Sequence, residues 1–159
     1  MTIRRAEPGD AAAIAAIWNA VIRETLATFT TDEKDPAALA REIAAAPQRW
    51  HVAEREGCVL GFACYFQFRG GPGYARSMEY TVHLDGAARG AGLGRALLAA
   101  VEAEARGEGA HTLYAGVSGA NPEAQRFHAA MGFERRAILP EVGRKWDRWI
   151  DLHLFQKFL

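Results

Sequence analysis

The sequence predicts one α/β domain, a mixed sheet with helices on its faces. Three observations predict it. Apolar residues recur at helical spacing in four stretches and at period two in the others. The elements then follow in the order strand, two helices, three strands, helix, strand, helix, two strands, an interleaving typical of layered α/β folds. With 159 residues, 50% of them hydrophobic and 24% charged, the chain is long enough to bury about two thirds of its unfolded surface in a single core. Residues 1–159 are therefore expected to form one domain, without repeat, linker or low-complexity segment.

Thr2–Arg5 reads as a short strand closed by Pro8-Gly9-Asp10, with Asp10 expected to cap a helix carrying Ile14, Ile17, Trp18, Val21 and Ile22. TLATFTTDEKD is β-branched and polar and reads as a loop, followed by a second helix, PAALAREIAA, with Pro36 in its first turn. From Trp50 the period becomes two: WHVAERE, a turn at Gly57 and CVLGFACYFQF form a hairpin, and Gly70–Gly73 (GGPG) follows as a flexible turn. SMEYTVHL alternates, with Met78, Tyr80, Val82 and Leu84 on one face and Ser77, Glu79, Thr81 and His83 on the other. A glycine loop opens a helix with Leu93, Leu97, Ala100 and Val101 on one stripe. HTLYAGVS is a strand, and Asn121-Pro122 starts a helix that shows Ala124, Phe127, His128 and Met131 on one face and stops at Gly132. FERRAIL and RWIDLHLFQ close the chain as antiparallel strands.

Lys and Arg balance Asp and Glu at 19 each, so no overall field attracts nucleic acid or an anionic membrane, and recognition is expected to be local. Cys58 and Cys64 lack CxxC spacing, which argues against a disulfide framework or a zinc site, and both read as small packing residues. No apolar run approaches a membrane span and MTIRRAEPGD lacks a signal-peptide core. The expectation is a soluble cytoplasmic protein without a metal.

The stretch Arg89-Gly90-Ala91-Gly92-Leu93-Gly94-Arg95 carries the chemistry. Its GxGxG spacing after the fourth strand does not match the GxGxxG that follows the first strand of a dinucleotide fold, and Arg95-Ala96 stands where a Walker A loop needs Lys-Ser/Thr. Backbone N–H groups of such a loop and the helix N-terminus can converge on a pyrophosphate, with Arg89 and Arg95 adding charge. Tight helix packing is the competing reason for glycines here.

With Arg89, Gly92 and Gly94 at a helix start after a long strand, and NPEAQRFHAAMGF downstream, the sequence resembles the GNAT superfamily of acyl-CoA N-acyltransferases. Within it the chain is similar, nearly end to end, to the phosphinothricin and methionine sulfoximine acetyltransferase group. IRRAEPGDAAAIAAIWNAV, ETLATF, SMEYTVHL and LPEVGRKWDRWIDLHLFQ carry that likeness.

The resemblance implies a central, mostly antiparallel sheet, acetyl-CoA as co-substrate and a small-molecule amine as acceptor, with a homodimer as the assembly. It implies that Val82, His83 and Leu84 bind the acetyl-pantetheine end, in the way a peptide adds to a strand edge. Arg89, Gly90, Ala91, Gly92, Leu93, Gly94 and Arg95 would hold the pyrophosphate, and Asn121, a helix cap in its own right, a further part of the cofactor. In the resembled group the glutamate at the position of Glu79 is the proposed general base for an ammonium that must lose a proton; an ion pair with an arginine is the competing role. His128 stands where the group has a histidine that can protonate the departing thiolate, and where periodicity alone predicts a core histidine. A strand N–H near Val82 could meet the developing oxyanion.

Arg69, Gly70 and Gly71, with Glu79, Tyr80 and Thr81, match the group's substrate-binding positions, and Phe29 either walls the pocket or packs in the core. Arg69 suits a bidentate carboxylate contact or is a solvated loop arginine. The departures fall here, in the two glycines after Arg69 and in the displacement of an arginine to Arg76. The expected reaction is direct acetyl transfer, in a ternary complex, to the α-amino group of a small amino acid or analogue. The alternatives are another amine (an aminoglycoside, a polyamine, a protein N-terminus), a non-catalytic acyl-CoA-binding module and a nucleotide-binding domain.

Overall fold

A computed structural model describes residues 1–159 as seven strands and four main helices. The strands are β1 (Thr2–Arg5), β2 (Trp50–Arg55), β3 (Cys58–Gln67), β4 (Ser77–Leu84), β5 (Thr112–Ser118), β6 (Glu134–Lys145) and β7 (Arg148–Phe158). They form one sheet in the order β1-β2-β3-β4-β5-β7-β6. Every pairing is antiparallel except that of β4 with β5. The helices are α1 (Ala11–Glu24), α2 (Pro36–Ala45), α3 (Leu93–Gly107) and α4 (Pro122–Ala130). The expected order of elements is the observed one, and no helix is long and apolar enough to cross a membrane.

The helices divide between the faces because their apolar stripes do. Ile14 and Ile17 of α1 and Leu39 and Ile43 of α2 bury against Trp50, Val52, Phe62 and Cys64. On the opposite face Leu93, Leu97, Leu98 and Val101 of α3 bury against Met78, Tyr80, Leu113, Ala115 and Val117. The period-two reading of β4 is therefore met: Met78 and Tyr80 point to the α3 core, and His83 packs on Trp18 and Phe62 on the α1 side. At about 25 cal/mol per Å² of apolar surface, these two cores supply most of the favourable folding energy.

Three expectations are corrected. Asp10 stands at the N-cap of α1 but its carboxylate caps nothing there. It takes two hydrogen bonds from Arg4, at 2.8 and 2.9 Å, and one from the Glu7 N–H, because a guanidinium offers a stronger, bidentate partner. Cys58 is exposed at the tip of the β2–β3 hairpin, and only Cys64 is a packing residue. The sixth strand runs past Leu139 to Lys145, through a register shift between Leu139 and Gly143 where Glu141 takes φ 52°; β6 is an edge strand, which tolerates Pro140.

Candidate active site

The site begins where two strands part. β4 and β5 pair only over Ser77–Thr112, Met78–Leu113 and Glu79–Tyr114. Beyond that point β4 keeps β3 as its outer partner and β5 keeps β7. The facing edges Tyr80–Leu84 and Ala115–Ser118 are therefore left without each other, and both line a cleft of about 670 Å³. Buried backbone polar groups demand partners, so an open edge inside a cleft is a place for a ligand's amides.

One end of the cleft is the glycine loop. Asp85 accepts the Ala87 N–H at 2.9 Å and starts a short turn. Gly90 and Gly92 then take φ +82° and +76°, a region costly for residues with a Cβ. The first helical hydrogen bond of α3 runs from the Ala96 N–H to the Gly92 carbonyl, so the N–H groups of Leu93, Gly94 and Arg95 belong to the open helix end, positive in its dipole. Gly94 has a packing reason as well, since a Cβ there would meet the Phe127 ring at 3.4 Å. Arg89, Gly90, Gly92, Leu93, Gly94 and Arg95 line the cleft, with Val82, His83, Leu84 and Asn121, whereas Ala91 does not. Asn121 caps α4 through the Ala124 N–H at 3.1 Å.

His128 is buried, and both ring nitrogens are engaged. Nδ1 lies 2.7 Å from the Ala124 carbonyl, which can only accept, so Nδ1 carries the proton. Nε2 then accepts from the Tyr80 hydroxyl at 2.5 Å. Burial holds the imidazole below its usual range and the Tyr80 phenol above its own, so the pair rests as neutral imidazole and neutral phenol. Both residues line the cleft. Burial, with Arg89 nearby, pushes the His83 imidazole down to about 4.

Glu79 lies at the fork itself. Register sets it beside Phe66 of β3 and Tyr114 of β5. Its carboxylate reaches over Gly116, where an added Cβ would come within 3.0 Å of Oε1. It has no ion-pair partner, so the arginine pairing is not made, and burial raises its carboxyl above the ordinary range. Thr81 lines the cleft with Tyr80.

The structure does not bring Arg69, Gly70, Gly71 or Phe29 to the cleft wall. Arg69–Gly71 form an exposed turn whose Arg69 and Gly71 carbonyls accept from Gln67 Nε2 at 2.6 and 2.7 Å. That turn adjoins the fork through Phe68, whose ring stacks on Tyr114 at 4.4 Å. Phe29 packs on Gly143 of β6 instead. Arg76 is exposed, with its guanidinium on the Gly109 carbonyl. Sequence reasoning missed the second wall, made by Trp18, Val21 and the segment Thr25–Lys34, and it missed Gly116. A glycine inside HTLYAGVS was the available signal, since strand glycines mark close approaches.

Comparison with known proteins places this geometry. The model of the Acetyltransferase (GNAT) family matches residues 15–133. The chain is 37% identical to an L-methionine sulfoximine/L-methionine sulfone acetyltransferase of Salmonella typhimurium, over 98% of this chain and 93% of the relative. It is 33% identical to a phosphinothricin N-acetyltransferase of Streptomyces coelicolor, over 89% and 86%. Among solved structures, an acetyltransferase of Salmonella typhimurium with its cofactor acetyl-CoA superposes with TM-score 0.95 at 34% identity, covering 100% of this chain and 94% of that one. A ribosomal-protein-alanine N-acetyltransferase of Brucella melitensis gives TM-score 0.94 at 37% identity, with both chains fully covered.

Proposed function

The chain belongs to the GNAT acetyltransferase family, and from that premise we propose that it transfers an acetyl group from acetyl-CoA to the α-amino group of a small amino acid or analogue. The acceptor we favour is of the methionine sulfoximine, methionine sulfone or phosphinothricin type, and the transfer is direct, in a ternary complex. The observation that carries the proposal is the continuity of the open β4 edge with the glycine loop in one cleft. A cleft of about 670 Å³ is of the size that encloses a small-molecule ligand.

Bound acetyl-CoA supplies an acyl group already activated toward amines. Val82, His83 and Leu84 offer strand N–H and C=O groups to the pantetheine amides, and a strand N–H near Val82 meets the developing oxyanion. Arg89, Gly90, Gly92, Leu93, Gly94 and Arg95 hold the pyrophosphate, with Ala91 spacing the glycines and Asn121 at the rim. Glu79 accepts the proton of the acceptor ammonium, directly or through water. Protonation of the departing thiolate would run through the Tyr80–His128 pair, the phenol giving its proton to the sulfur and regaining one from the acylated nitrogen, which must lose its second proton. Tyr80 and Thr81 bound the acceptor, and Arg69, Gly70 and Gly71 extend its site at the turn beyond Phe68, with Arg69 toward a carboxylate.

We place the protein in the cytoplasm and propose a homodimer, which the outer hairpin supports: Ile138, Leu139, Val142 and Trp149 expose apolar surface that a second copy would cover. The deciding experiment mixes the protein and acetyl-CoA with methionine sulfoximine, methionine sulfone, phosphinothricin, an aminoglycoside and a peptide with N-terminal alanine, and measures free CoA thiol. Release with the first three supports the reading. Release with the alanine peptide alone would favour a protein N-terminus as acceptor, the second reading prompted by the Brucella melitensis likeness. No release with any amine, together with CoA binding, would leave an acyl-CoA-binding module.

A further inference from the structure

Lys145 is a lysine almost without solvent, 2% exposed near the end of β6. Its Nζ donates to the carbonyls of Ile22 at 2.7 Å, Thr25 at 2.6 Å and Thr28 at 3.1 Å, and lies 3.1 Å from the Thr28 hydroxyl. The Trp146 ring stands 5.1 Å away as a further cation partner. No carboxylate pairs with it, so its charge is held by oxygen dipoles, including the negative C-terminal end of α1.

The segment it grips has no regular backbone ladder to hold its middle. Thr25–Asp35 contains neither helix nor strand, yet Thr25, Ala27, Thr28 and Thr30 line the cleft. Two residues before Lys145, Gly143 lacks the Cβ that would collide with the Phe29 ring at 2.6 Å. At the far end Asn19 bonds Lys34 twice, at 3.0 and 2.6 Å. Gly143 and Lys145 do not line the cleft themselves.

We propose that Gly143 and Lys145 of β6 are positioning residues that clamp Thr25–Thr28, Lys145 directly and Gly143 by seating Phe29, as the acceptor-side wall, and so set which amine is bound without touching it. The proposal rests on the acetyltransferase reading for its kinetic consequence, and on geometry alone for the clamp. Replacing Lys145 by Met leaves three carbonyls without their donor, and the wall loosens, while the bonds that shape the glycine loop, Ala87 N–H to Asp85 and Ala96 N–H to Gly92, do not involve Lys145.

The test compares wild type with Lys145→Met, Lys145→Arg and Gly143→Ala, using steady-state kinetics in both substrates and deuterium exchange of residues 25–30. For Lys145→Met and Gly143→Ala we expect the KM of the amine to rise about tenfold, the KM of acetyl-CoA to stay within about twofold, and exchange in 25–30 to quicken. Lys145→Arg, which keeps charge and donors, lies between Lys145→Met and wild type. Folded variants with an unchanged amine KM, or with both KM values raised equally, would overturn the clamp. Should Lys145→Met fail to fold, Gly143→Ala carries the same test. If wild type turns over no amine, the acetyltransferase reading falls, and unaltered exchange at 25–30 in the variants is then the result that sinks the clamp.

Discussion

Glu79 combines a raised carboxyl, no counter-cation and a glycine beneath it. A base works only when deprotonated. Because burial raises this carboxyl, the acid limb of kcat/KM is expected above the ordinary 4.5, with activity falling as pH drops through it. Glu79→Gln should lower kcat by about a hundredfold and abolish that limb, while acetyl-CoA affinity is kept. An unchanged pH profile in the variant would remove Glu79 from the reaction. Gly116→Ala tests the same atom from below: its Cβ would stand 3.0 Å from Oε1, and displacement of the carboxylate should cost about tenfold in kcat. Glu79 was legible in the sequence because alternation in SMEYTVHL sets it on a polar face. The Tyr80–His128 bond was not, since the two lie 48 positions apart and only the packing of α4 on β4 joins them. Lys145 was equally hidden, because charged side chains are read as solvent-facing until their partners are known.

The glycine loop and α3 act as one element. An alanine at Gly92, whose φ is +76°, strains the loop by about 1 kcal/mol. Gly92→Ala should therefore raise the KM of acetyl-CoA about tenfold and leave the amine KM near its wild-type value, the reverse of the split expected at Lys145. Titration calorimetry with CoA checks the same loss without turnover. Most elements could be read from periodicity and caps: Pro36 opens α2 and Asn121 accepts the N–H group expected of a cap, and Gly132 stops α4 at φ +89°. The boundary of β6 could not, because Pro140 reads as an end to a strand unless it is known to lie on an edge. The turn at Trp146-Asp147, both at positive φ without a glycine, is equally silent in sequence. So is the seat of Phe29 on Gly143, which depends on a hairpin more than a hundred residues away.

At the scale of the whole molecule, three imidazoles, His51, His83 and His128, are held below their usual range by burial. The folded state then binds fewer protons than the unfolded state below the ordinary value of 6.5. Stability should be fully present above that pH and fall as pH drops through it toward about 4, where His83 itself titrates. Between pH 7.5 and 5.5 the loss from His83 is about 1 kcal/mol, with His51 and His128 acting in the same direction, measurable as a lower urea midpoint; an unchanged midpoint would contradict the neutral state of these rings. The parting of β4 from β5 has a mechanical side as well. The sheet consists of two antiparallel plates, β1-β2-β3-β4 and β5-β7-β6, riveted through three residue pairs. On the proposed reading a donor lodges in that gap and bridges the plates, so at a hundredfold excess over its Kd it should add about 2.7 kcal/mol to global stability. The protein's resistance to proteolysis then becomes a gauge of how much acyl donor surrounds it, and the empty enzyme is the fragile one.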